Sequence, residues 1–196
     1  MHRGLFGVVA VGLAVLVAGC SPVAASTPTP SVSKTQSLPV PTLNPSLIPT
    51  ASPQAIQDVD SAAYLTSWGD YVFKVGDGPV WCTISPSAHL ALCEQNQVSA
   101  DYDPVPIPDT CMYSYGYQVE VTATKSTDGS PEAFMPCSGG SYSDASKAET
   151  LADATRITVA PFSCWVVGQT ARCDNTDDGS YIALGPKIWA LGQATY

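Results

Sequence analysis

The chain carries seven cysteines, two histidines and 17 acidic residues, and its reactive chemistry would have to come from these. Six of the cysteines are Cys82, Cys93, Cys111, Cys137, Cys164 and Cys173. Structural zinc sites place ligand pairs two to four residues apart. Here neighbouring cysteines pair over eight to 25 intervening residues, and His89 is the only histidine beyond position 2. An even number so spaced reads as three disulfides, which leaves no thiolate nucleophile and no metal site. Six cysteines allow 15 connectivities. Their order favours the local set Cys82–Cys93, Cys111–Cys137 and Cys164–Cys173. The last pair also has a geometric argument. If Gly168-Gln169 is a two-residue hairpin loop, residue 167 faces 170 and Cys164 faces Cys173. That is a non-hydrogen-bonded pair, with Cα atoms about 4.5 Å apart and within disulfide reach.

Other chemistry finds little support. A Ser-His-acid triad would have to use His89, which follows Pro86-Ser87-Ala88 in a turn-like context, and no Gly-x-Ser-x-Gly elbow is present. Asp174-Asn175-Thr176-Asp177-Asp178-Gly179 has acids at positions 1 and 5 and Gly at 6 of a calcium loop. The twelfth position, however, is Gly185 where a bidentate Glu belongs, so a tight solvated turn is expected. Asp101, Asp103 and Asp109 alternate with prolines and could serve glycoside hydrolysis only if two carboxylates converged in a cleft. Tyr113, Tyr115 and Tyr117 would share one face of a strand and could stack on sugars or on a partner. The same parity runs on through Val119 and Val121, which favours a core stripe. No catalytic residue and no cofactor is assigned.

The elements that must position these residues begin after a segment of different character. Arg3 precedes a fourteen-residue apolar run, Leu5–Ala18, too short for the roughly 20 residues that span a bilayer. With Val17-Ala18-Gly19-Cys20 closing it, the segment resembles the lipobox signal peptides of bacterial lipoproteins. The resemblance implies removal of residues 1–19 and diacylglycerol on Cys20. The mature chain would keep seven basic residues against 17 acidic ones, a formal net charge of −10. Nucleic acid and anionic lipid head groups are poor partners for such a chain. Anchoring would rest on acyl chains, each buried methylene contributing about 0.8 kcal/mol. Residues 20–54 form a Pro/Ser/Thr-rich tether with eight prolines between Ser21 and Pro53. At about 3.1 Å per residue it could reach on the order of 100 Å.

Residues 55–196 are aromatic, β-branched and glycine-rich, enough for one core. Strands are expected near 71–75, 80–84, 89–94, 117–124, 156–160, 163–167, 171–174, 181–184 and 187–190. Short helices are expected over Ala55–Ser67 and Asp144–Asp153. Val80-Trp81-Cys82-Thr83-Ile84 with Cys93-Glu94 parallels Phe162-Ser163-Cys164-Trp165-Val166 with Cys173-Asp174. The fold class is therefore all-β or β-rich with minor α: a small disulfide-stapled antiparallel sheet domain with two similar Cys-bridged hairpins.

The order Val80-Trp81-Cys82-Thr83-Ile84, Leu92-Cys93-Glu94, Pro104–Cys111, Phe134-Met135-Pro136-Cys137, Phe162-Ser163-Cys164, Cys173-Asp174-Asn175 and Gly179-Ser180-Tyr181 is similar to an uncharacterised family of exported actinobacterial domains. That family usually has a Ser-Pro-Ser-Gly-Asn turn before its first cysteine, where this chain has Gly76-Asp77-Gly78-Pro79. The resemblance implies export and a disulfide-bonded fold, and it carries no activity. The combined expectation is a lipoprotein on the outer face of the plasma membrane, acting as a binding module toward an envelope protein or wall glycan. A carboxylate-based wall hydrolase and a structural envelope protein are the alternatives.

Overall fold

Alternating apolar and polar residues over most of the domain build two six-stranded sheets. A computed structural model describes residues 56–123 and 132–193, so the expected signal peptide, Cys20 and the tether lie outside the described residues. The strands are β1 Gln57–Asp58, β2 Tyr71–Val75, β3 Val80–Ser85, β4 Leu90–Gln95, β5 Gln118–Thr122, β6 Ala133–Phe134, β7 Glu149–Leu151, β8 Thr155–Val159, β9 Phe162–Val167, β10 Thr170–Asn175, β11 Ser180–Gly185 and β12 Ile188–Gln193. One sheet has the order β7-β2-β3-β4-β5-β6 and the other β1-β8-β9-β10-β11-β12.

The two halves share one plan, strand for strand. Each is a five-stranded antiparallel meander whose first strand is flanked by a parallel edge strand. In the first half Phe73, Cys82, Cys93 and Val119 lie side by side; in the second Ile157, Cys164, Cys173 and Ile182 do. The edge strands are exchanged. β1 precedes the first meander but pairs with β8 of the second, and β7 precedes the second but pairs with β2 of the first. The sequence parallel between the two cysteine hairpins therefore extends to the whole architecture. The meanders are the antiparallel sheets expected, and each gains one parallel edge strand.

All three disulfides join the local pairs. Cys164 faces Cys173 across the hairpin turned by Gly168-Gln169, with Cα atoms 4.0 Å apart and Gly168 at φ 61°. A residue with a Cβ adopts that backbone only at a cost, which is why glycine stands there. The sheets pack with their cysteine faces together. Cys93 Sγ lies 3.9 Å from Cys173 Sγ, and Phe73, Ile84, Val119, Ile157, Phe162 and Leu184 bury around them.

Two side-chain amides cross between the sheets. Asn175 Nδ2 donates to the Thr122 carbonyl at 3.0 Å, and Gln95 Nε2 donates to the Gly185 carbonyl at 3.4 Å. Gln95 and Asn175 occupy equivalent positions at the ends of β4 and β10, and Thr122 and Gly185 at the ends of β5 and β11. Reciprocal contacts of this kind are the signature of two-fold self-complementarity.

Neither expected helix forms. The first segment gives β1 and a 3-10 turn, Ser61–Tyr64, whose cap Asp60 accepts from the Ala62 N–H. The second gives a 3-10 turn, Ala145–Lys147, and then β7. In both, the backbone finds hydrogen-bond partners on the other half's sheet, and pairing there outweighs weak helical periodicity.

Gln95→Ala and Asn175→Ala each remove a hydrogen bond that crosses between the sheets, so each is expected to cost about 0.5–1.5 kcal/mol in urea unfolding with the disulfides intact. Unchanged midpoints for both would show that the crossing bonds contribute nothing.

Candidate functional site

On the outer face of the first-half sheet, Trp81, Glu94 and Gln118 sit side by side on β3, β4 and β5. Glu94 is almost completely buried, at 1% exposure, and accepts five hydrogen bonds. To Oε1 donate the Trp81 indole N–H at 2.6 Å, the Ser143 N–H at 3.1 Å and the Ser143 hydroxyl at 3.4 Å. To Oε2 donate Gln118 Nε2 at 2.6 Å and the Tyr142 N–H at 2.9 Å. Burying a carboxylate costs several kcal/mol unless its lone pairs are occupied, and here neutral donors occupy them. Glu94 thus pins the Ser138–Lys147 loop onto the sheet and fixes the plane of the Trp81 ring. Thr83 Oγ1 adds a bond to Ser143 Oγ at 2.8 Å. Within the loop, Asp144 accepts from the Ser146 N–H, a contact that holds its carboxyl below the usual range.

The loop leaves three concavities around it. The first, about 170 Å³, is lined by Trp81, Tyr117, Gln118, Gln95 and Ser138 among others. A second of about 520 Å³ shares Trp81, Asn96 and Ser141 with it. A third of about 720 Å³ shares Tyr142, Ser143 and Asp144 with the second and runs to Tyr64, Leu65, Trp68, Asp70 and Glu149. Trp68 is 89% exposed, and Leu65 and Tyr142 are also exposed. The Trp68 ring is presented by a tight turn in which the Thr66 N–H donates to the Asp70 carbonyl at 2.8 Å, with Gly69 at φ 92°. Burial and the neighbouring Glu149 push the Tyr64 hydroxyl up.

The second half treats its equivalent face differently. Asp174, the counterpart of Glu94, pairs with Arg172, whose Nε lies 2.6 Å from Oδ1. The guanidinium also sits 3.8 Å from the Tyr181 ring centre and 5.2 Å from that of Trp165.

Of the tyrosines expected to share a strand face, Tyr117 lines the first cavity, Tyr115 packs against the core, and Tyr113 is exposed on the long β4–β5 connection. β5 begins only at Gln118, because Gly116 at φ 92° breaks the alternation where Val105 presses close. Val119 and Val121 keep the expected core parity. His89 is exposed in the β3–β4 turn, and Asp101, Asp103 and Asp109 are exposed on the β4–β5 connection. In the suspected calcium loop, Asp178 Oδ1 accepts from the Ser180 N–H and hydroxyl while the Asn175 amide reaches Thr122 and Asp178, the bonding of a closed turn. Cys20 lies outside the described residues. Sequence reasoning missed Trp68, Tyr142 and the organising role of Glu94. A tryptophan within Ser67-Trp68-Gly69-Asp70 was the available signal, since turn residues on both sides leave a large ring little to pack on. Comparison with protein-family models, curated proteins and solved structures finds no match to this chain.

Glu94→Gln turns one acceptor into a donor facing donors. It is expected to lose about 2 kcal/mol or more of stability and to speed hydrogen exchange at Tyr142 and Ser143. Unchanged exchange there would show that the loop does not depend on the carboxylate. Glu120, beside Leu92 and Phe134, has its carboxyl raised by burial. A raised folded value means the fold prefers the protonated acid, so stability falls as pH rises through that range. Glu120→Gln is expected to raise the Tm at pH 7, the gain shrinking as the buffer is acidified; a gain independent of pH would contradict this assignment.

Proposed function

We propose that this chain is an exported binding module of the bacterial cell envelope, anchored by lipid on Cys20 and displayed on its proline-rich tether. Its binding surface is the concave strip around the Ser138–Lys147 loop. The observation that carries the reading is Trp68, an indole held in solvent by a tight turn at the rim of the 720 Å³ concavity, beside Leu65 and Tyr142. Isolated surface apolar residues are ordinary, but aromatic side chains gathered along a concave surface mark interaction sites. Glu94 favours binding over catalysis, because its oxygens already accept five hydrogen bonds and serve to hold the surface in shape. Three disulfides fit an oxidising compartment outside the cytosol. The acidic chain has little attraction for an anionic membrane, so attachment falls to the lipid.

The test has two arms. Cys20→Ala is expected to move the protein from the membrane to the soluble fraction, and unchanged partition would overturn the anchor. Immobilised full-length chain is expected to retain envelope material saturably, and Trp68→Ala to lose that retention. Equal retention by both would overturn the binding surface, and turnover of wall glycan would replace the module with a hydrolase.

A further inference from the structure

Resting on the binding-module reading, we propose that the concave strip takes a linear, uncharged polysaccharide strand. The three concavities adjoin, each sharing side chains with the next, so the strip suits an extended ligand better than a compact one. Each stretch offers aromatic surface: Tyr117 and Trp81 in the first, Tyr142 in the second, Trp68 in the third. The flat C–H faces of sugar rings pack on such platforms, and their hydroxyls need nearby amides and hydroxyls to replace water. Between the rings the lining is of that kind, with Asn96, Gln118, Ser138 and Ser141.

Charge narrows the class. A chain with formal net charge −9, and with Asp70, Asp144 and Glu149 lining the third concavity, disfavours anionic polymers. A basic peptide would need free carboxylates along the whole strip. Among the described residues lining the first concavity the one carboxylate is Glu94, which is committed to the loop, and Asp144 in the second accepts from the Ser146 N–H. Because Glu94 locks both Trp81 and the loop, these platforms exist before ligand arrives and little ordering is left to oppose binding.

The test is titration of the full chain in detergent with hexasaccharides of glucose, mannose, arabinose and N-acetylglucosamine, followed by tryptophan fluorescence. At least one should bind saturably and with little dependence on salt, its disaccharide about tenfold or more weaker. Trp68→Ala should weaken it by about tenfold or more at an unchanged Tm, with Tyr142→Ala as the second variant. No binding by any of the four, or binding indifferent to both substitutions, overturns the polysaccharide. Trp68-dependent binding of penta-lysine in its place overturns the polysaccharide but leaves the module standing. Loss of Trp68-dependent envelope retention as well removes both.

Discussion

The contact between two disulfides at the centre of the molecule sets the terms for the rest. Cys82–Cys93 and Cys164–Cys173 each bridge directly opposed residues of neighbouring strands, and Cys93 and Cys173 bring the bridges to 3.9 Å across the sheet interface. A one-residue slip in a β pair turns every side chain over. With the bridges closed, β3 against β4 and β9 against β10 cannot slip. Once the cysteines point inward, Trp81 and Glu94 must point outward, and the second-half equivalents Ser163 and Asp174 likewise. The proposed binding strip and the core are thus two sides of one register.

Most meander strands and the two cysteine hairpins were legible in the sequence. The Gly168-Gln169 turn, counted back three pairs from 167 and 170, places Cys164 opposite Cys173, and short-range alternation locates β2, β3, β9 and β10 to within a residue. What could not be read there depends on distant partners. Glu149–Leu151 is a strand only because β2 offers its edge, and Gln57–Asp58 only because β8 does. Nothing within either segment marks it. The Tyr113–Tyr117 stripe fails at a single glycine, where the chain must pass Val105. The site itself was half visible: the acid following each second cysteine stands out as a repeated feature, whereas its use as an anchor for a loop 44 to 53 residues downstream requires the folded chain.

The two halves also show how one plan tolerates different solutions to one electrostatic problem. Each places a carboxylate at the same position on the outer face of its sheet. The first half is followed by enough chain to fold back and supply backbone N–H donors from Tyr142 and Ser143. In the second half Arg172 neutralises Asp174 locally, and the guanidinium is in turn covered by aromatic rings. The first solution builds concave surface around a loop; the second is complete within one sheet, since Arg172 and Asp174 lie on the same strand.

The crossed edge strands give the domain a property that neither sheet would have alone. Each half lends its leading strand to the other, so a protease nick in the connection between β6 and β7 would leave two pieces still clasped at both ends. Separation would require stripping β1 from β8 and β7 from β2 while also opening the shared interior. Such interlocking converts a cut in that connection from loss of the fold into a local break in one loop.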